Sequence, residues 1–203
     1  MKSEKETKAK LLASAKKEFL EKGYMQASLR NICKNAGVTT GALYFFFQDK
    51  EDLFASLVEE PLKRLYEVME AHFAEEEEKV KEIAVNEMDA TDDILAAKQI
   101  IHYMYLYYDE FQLIVNHSQG SRFEESVDRL VEISEKQLRL MSDEMSKVTN
   151  CAKVDDYIIH WFSHMQVDMF LYMLKHEKSE EAAQQHIEQL IRILISGWLE
   201  MFR

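Results

Sequence analysis

Proline occurs once in 203 residues and glycine five times, too few breakers for the turns and long loops of a β-sandwich or barrel. The two cysteines, Cys33 and Cys151, have no CxxC spacing, which excludes a disulfide framework and a cysteine-based zinc scaffold. No apolar run approaches the ~20 residues that cross a bilayer, and the first residues lack the basic, apolar and small blocks of an export signal. The expectation is a soluble protein of a reducing cytoplasm with no membrane partner. Also missing are a glycine-rich phosphate loop after a strand, an HExxH pair and a nucleophile elbow, so neither catalysis nor a cofactor is expected.

What the chain does have is 47% hydrophobic and 31% charged residues with little to interrupt a helix, the composition of an all-α protein. A net charge of −12 opposes nucleic-acid binding, which depends on cations that displace condensed counterions. That average hides a split. Residues 1–50 carry ten Lys and Arg against five Asp and Glu, whereas the remaining 153 carry 15 against 32. Only the N-terminal quarter favours DNA, and the acidic remainder keeps the rest of the molecule off the duplex.

Ser3 and Glu6 have capping-box spacing, and Leu11, Leu12, Ala15 and Phe19 share one face of a helix ending near Gly23. Ser28 caps a second, short helix in which Leu29, Ile32, Cys33 and Ala36 recur at i, i+3, i+4, i+7. Thr39 or Thr40 caps a third over Gly41 to Phe46, and Asp49 caps a fourth with Glu51 and Asp52 in its first turn, where the macrodipole favours acids. Longer helices follow: Lys50 to about Glu76 with a bend at Pro61, Thr91 to Tyr108, Glu110 to Gln119, Arg122 to Lys147, Asp155 to Lys175 and Ser179 to Phe202. The expected division is a helix-turn-helix domain over residues 1–50 and a helical effector-binding and dimerisation domain over 51–203. The acidic run Glu75 to Glu78 reads as a solvated helix end or a loop.

A short helix, a tight Ala36-Gly37-Val38 turn and a second short helix rich in small and hydroxyl residues have the form of a helix-turn-helix. Gly37 supplies the positive φ that ends one helix and starts the next, while Ile32, Val38 and Leu43 can pack the two together from inside. Small Gly41 and Ala42 let the second helix approach a groove closely. An ordinary αα corner would use the same turn.

The residues that surround it are more specific. The pattern Phe19-x3-Gly23-Tyr24-x2-Ala27-Ser28-Leu29-x2-Ile32-x3-Ala36-Gly37-Val38-Thr39-x-Gly41-x-Leu43-Tyr44-x2-Phe47-x2-Lys50-x2-Leu53 closely resembles the N-terminal domain of the tetracycline-repressor (TetR/AcrR) family of transcriptional regulators. The resemblance covers the first quarter of the chain; beyond it only length, helical content and a closing Gly197-Trp198 helix match. It implies double-stranded operator DNA as a partner, with phosphate contacts from Ser28, Thr39, Tyr44 and Lys50 and base-edge or groove contacts from Thr40, Gly41 and Ala42. Lys50 lies in the first turn of a helix, where the dipole disfavours a cation, and a nearby phosphate would account for it. Tyr44 reads equally well as a core aromatic.

The chain departs from the family at Phe45-Phe46-Phe47, where His or Tyr is common at the first two positions, and Phe45 or Phe46 is a DNA contact or a packing residue. The recognition helix carries no Arg, Asn or Gln for bidentate base contacts. Thymine-methyl contacts, backbone positioning and DNA shape then carry more of the specificity, with Arg30 and Lys34 adding charge.

In the C-terminal part, the last helix and the one before it present apolar arcs too broad for one core-facing stripe, and the resemblance implies a four-helix homodimer interface. Its candidates are Phe162, Met165, Met169, Ile187, Leu190, Ile191, Leu194 and Trp198; the alternative is one large monomeric core. Candidates to line an effector pocket are Met69, Phe73, Tyr103, Met104, Tyr107, Phe111, His117, Phe123 and Met141, aromatic and polarizable residues that also suit simple core packing. They imply a small apolar or amphipathic effector. Asp156, His160, His164 and Asp168 fall at i, i+4, i+8, i+12 on one helix face; two His at that spacing can chelate a metal, but the stripe lies opposite the apolar arc as a solvated face would, and no metal is assigned. The expected function is a dimeric repressor released from its operator when the effector binds. Corepressor-dependent or activating regulation and a helical protein-protein adaptor are the alternatives.

Overall fold

The computed structural model describes residues 2–80 and 90–202, and among these every regular element is a helix. They are α1 Lys2–Gln26, α2 Leu29–Ala36, α3 Thr40–Phe46, α4 Lys50–Val80, α5 Thr91–Leu106, α6 Tyr108–His117, α7 Ser126–Thr149, α8 Asp156–His176 and α9 Glu180–Glu200.

Five helix starts are set by capping side chains. Ser28, Thr39, Asp155 and Ser179 each accept from a backbone N–H in the first turn of α2, α3, α8 and α9, the bond an N-cap exists to make. At α4 the Asp49 carboxylate accepts from Asp52 N at 2.8 Å while Asp52 reaches back to Gln48 N at 2.9 Å. Three expected boundaries move. Helix α1 begins at Lys2, so Ser3 lies inside it rather than capping it. The chain breaks at Tyr107 rather than after Tyr108, and residues 122–125 form a turn before α7 starts at Ser126. Pro61 sits within α4, which continues through it; the acidic run at residues 75–78 falls in the last turns of the same helix.

Packing divides the chain into two compact units. One comprises the chain up to Arg64 together with Tyr107–Val127; the other comprises Leu65–Leu106 and the chain from Asp128 onward. The helix-turn-helix region up to residue 50 therefore shares its unit with the first half of α4, with α6 and with the turn that follows.

In the first unit, Leu11, Ala15 and Phe19 of α1, Ile32 of α2, Leu43 of α3 and Leu53 and Phe54 of α4 are fully buried. Phe19 meets Phe54 edge-on at 4.9 Å, and Phe123 completes the aromatic cluster 5.9 Å from Phe54. α6 lies on α1, tied by an ion pair between Lys16 and Glu110. Gly120, at φ 81°, lets the chain pass so close to α1 that a Cβ there would stand 2.6 Å from Met25 Cγ. Cys33 is buried in α2, and burial pushes its thiol pKa up.

In the second unit α9 packs along α5, and Ile101, Met145, Ile159, Ile187 and Trp198 form the centre of one apolar core. Tyr105 on α5 donates to the Glu177 carbonyl at 2.9 Å, just past the end of α8, with the Met173 carbonyl 3.3 Å from the same hydroxyl. None of the helices among the described residues is long and apolar enough to cross a membrane.

Candidate nucleic-acid interface

Gly37, at φ 68°, is the left-handed C-cap of α2, and its N–H returns to carbonyls of the last turn. The turn it makes lays α3 against α2, with Ile32 and Leu43 buried between them and Val38 half-buried. Leu43 and Phe47 consume one side of α3. The opposite side presents Thr40, Gly41, Tyr44 and Phe45, with Tyr44 58% and Phe45 72% exposed. Tyr44 is thus a surface residue and not part of the core, and of the three consecutive phenylalanines only Phe47 is a core residue. Arg30 and Lys34 on α2 and Thr39 at the cap are exposed as well, Ala42 and Ser28 half so.

Gly41 has no intramolecular reason to be glycine. A Cβ there would meet nothing nearer than Thr39 Oγ1 at 3.8 Å.

Lys50 is differently placed from what its sequence position suggests. Its ammonium donates to Met25 O at 3.1 Å and Ala27 O at 3.4 Å and stands 4.6 Å from the centre of the Tyr24 ring. These contacts already offset the unfavourable dipole of α4, so a phosphate is not needed to explain the residue.

Two residues that sequence reasoning missed hold this surface in position. Glu18 is 6% exposed, and its carboxylate accepts from Ser28 N at 3.1 Å and Asn31 Nδ2 at 3.3 Å, binding α1 to the start of α2. Its position beside Phe19 breaks the apolar pattern, which is the only trace it leaves in the sequence. Tyr24 donates to Glu51 at 2.8 Å, and burial together with that carboxylate pushes its pKa up to about 12. Glu51 also accepts from Arg122 N at 3.1 Å, which anchors the turn after α6.

The expected effector residues separate. Met69, Phe73 and Met104 line a cavity of about 70 Å³ in the second unit, and Met141 lines an adjoining one; Tyr103 lines neither. Tyr107, Phe111, His117 and Phe123 belong instead to the first unit. There α6 turns its apolar side onto α1, so Phe111 is buried at 2% exposure and Phe123 packs on Phe54.

The expected dimer residues separate too. Phe162, Ile187, Ile191, Leu194 and Trp198 are buried in the chain's own core, because α5, α7 and α8 already cover that side of α9; Met165, Met169 and Leu190 are partly buried against it. The apolar surface left exposed on α8 and α9 is a different set: Tyr157, Ile158, Trp161, Tyr172 and Ile193. The polar stripe of α8 is engaged across to α7, where His160 Nδ1 lies 2.7 Å from Glu135, and Arg139 bridges Glu135 and Asp156. The His160 and His164 rings pack edge to face at 4.7 Å, and no cluster of metal-ligating side chains occurs among the described residues.

Residues 11–57 match the N-terminal domain of bacterial regulatory proteins of the tetR family. Over 53 residues the chain is 47% identical to the transcriptional repressor BepR of Brucella suis, and over 75 residues 33% identical to the fatty acid metabolism regulator protein of Bacillus subtilis. These matches cover 26% and 37% of this chain and span only 25% and 39% of the relatives' own lengths. The fold extends further than the sequence similarity. A TerR/AcrR-family regulator from Aquifex aeolicus superposes with a TM-score of 0.60 at 18% identity, over 93% of this chain and 99% of the other. A TetR-family member from Streptomyces coelicolor gives 0.62 at 16% identity, over 92% and 90%. The family match is thus confined to the helix-turn-helix, residues 11–57, and over the rest of the chain the likeness to these TetR/AcrR-family regulators is one of fold.

Proposed function

We propose that this protein is a DNA-binding transcriptional regulator, a homodimeric repressor that leaves its operator when a small apolar or amphipathic molecule binds. The observation that carries the reading is α3: a helix anchored by Leu43 and Phe47 whose outer side offers Thr40, Gly41, Tyr44 and Phe45, with a glycine where nothing inside the chain requires one. Thr39, Arg30 and Lys34 are exposed and Ser28, Ala42 and Lys50 half-exposed, and these six are the further proposed DNA contacts. Relatives named as repressors support the sign of regulation.

Dimerisation is supported by the uncovered aromatics of α8 and by Gly197, which has nothing within 4 Å of a Cβ and would admit a second helix closely. The effector is assigned to the cavity lined by Met69, Phe73 and Met104. Binding there would favour a subunit arrangement whose recognition helices no longer match successive half-sites about 34–36 Å apart. The protein acts in the cytoplasm and has no catalytic role. An adaptor function loses its one supporting feature, since Phe47 is buried and Phe46 half-buried, leaving Phe45 alone rather than an apolar patch.

Fluorescence anisotropy against the DNA upstream of its own gene, at two salt concentrations with random DNA as control, tests the reading. Tight, selective and salt-sensitive binding is the expected result. Equal, weak binding to both DNAs would defeat it.

A further inference from the structure

The cavity of the second unit is walled by carbon from α4, α5, α7, α8 and α9, and among the described residues polar groups reach it at two places. At one, His72 Nε2 lies 3.9 Å from Asp93 Oδ1. At the other, the fully buried Ser134 hydroxyl donates to Gln166 Oε1 at 2.6 Å.

The first pair argues against a charged ligand. Among the described residues none that lines the cavity is Lys or Arg, so an anion entering it would meet the Asp93 carboxylate with no Lys or Arg beside it. Asp93 lies in the first turn of α5, where the helix dipole favours its charge, and His72 stands beside it. A cation drawn to Asp93 would have to displace His72 from beside it.

The second pair provides a directed donor. Ser134 holds the oxygen of the Gln166 amide, which leaves the two N–H bonds of Nε2 without a partner among the described residues. No buried side-chain nitrogen is left unsatisfied, so Nε2 borders open space, and Gln166 lines both this cavity and the one beside it. A donor in an apolar wall selects for an acceptor, because a ligand lacking one leaves the amide dehydrated and unpaired.

We propose that the cavity takes a neutral, predominantly apolar molecule bearing a carbonyl or ether oxygen, and that this oxygen accepts a hydrogen bond from Gln166 Nε2, held in register by Ser134. The proposal rests on the reading that a small molecule controls this regulator, and it adds the chemical class of that molecule. Gln166 acts as a specificity determinant; the surrounding carbon supplies the affinity.

Displacement of Nile red from the full-length protein by four compounds of matched length, namely methyl nonyl ketone, undecene, undecanoate and undecylamine, tests it. The ketone should displace the dye at about fivefold lower concentration than undecene, and the carboxylate and amine should be weaker than the ketone. Gln166→Leu should abolish the preference for ketone over undecene while leaving undecene affinity unchanged, which also serves as the check that the variant folds. Gln166→Met should do the same, and Ser134→Ala should lose part of the preference. Stronger displacement by undecanoate or undecylamine, a preference that survives both Gln166 variants, or no displacement by any compound would overturn the proposal. DNA anisotropy on the same samples separates the two failures. Selective DNA binding without the ketone preference defeats the ligand class alone; the ketone preference without DNA binding defeats the regulator and leaves the site standing.

Discussion

Tyr44 and Lys50 stand side by side as phosphate candidates, yet their surroundings assign them different consequences. Tyr44 is 58% exposed, so Tyr44→Ala should weaken DNA binding and leave the melting temperature within about 1 °C. Lys50 is bonded to two carbonyls at the end of α1 and lies against Tyr24, so Lys50→Ala should lower the melting temperature by several degrees, about 1 kcal/mol, in addition to any loss of DNA affinity. Thermal unfolding of the two variants beside their anisotropy curves distinguishes a surface contact from a structural cation. Tyr24 carries a second test. Its folded pKa of about 12 is raised above the unfolded value, so the stability it contributes is fully present below the ordinary phenol range and is lost as pH climbs through about 12. Phenolate absorbance should accordingly show one tyrosine titrating after the exposed ones, and Tyr24→Phe should remove that last step. A tyrosine titration with no late step in the parent protein would contradict the assignment.

Glycines at the ends of elements differ in what they hold open. Gly37 and Gly120 both have positive φ, but only Gly120 is crowded, with Met25 Cγ 2.6 Å from the position of its Cβ. Gly37→Ala should cost about 1–2 kcal/mol, the left-handed backbone penalty alone, and Gly37→Asn less. Gly120→Ala should cost more than Gly37→Ala in chemical denaturation, with Met25→Ala recovering the excess but not the backbone part. Such features show which part of the fold is legible in a sequence. The caps Ser28, Thr39, Asp49 and Ser179 and the stop at Gly37 act on neighbours within four residues, and periodicity, composition and these caps together outline nearly every helix. Partner choice is not local. The apolar side of α6 carries no mark that it will lie on α1, so Phe111 and Phe123 pass for pocket residues; the broad arcs of α8 and α9 look the same whether they face α5 or another chain. Gln166 and Ser134, a helix apart in sequence, become an anchor only once α7 and α8 pack.

For the whole molecule, the division between inner and outer apolar residues predicts two kinds of failure. Trp198 is buried and donates to Met145 Sδ, and Trp198→Ala should unfold the second unit by about 3–5 kcal/mol at any protein concentration. Trp161 is 52% exposed, and Trp161→Ala should keep the helical content and raise the dimer dissociation constant about thirtyfold by sedimentation. A monomeric parent protein would remove the dimer from the proposed function.

The first unit is built from two separated stretches, with Tyr107–Val127 inserted from the middle of the chain. Hybrid regulators are naturally imagined as a DNA reader spliced to a foreign sensor at one junction. Here a single crossover near residue 64 would leave Phe54 without Phe123 and strand Lys16 without Glu110. A working chimera would need three junctions, one at each crossing of the chain between its units. Any exchange of sensors by recombination must therefore carry α6 and its turn along with the reader, or evolve a replacement that fits the same face of α1.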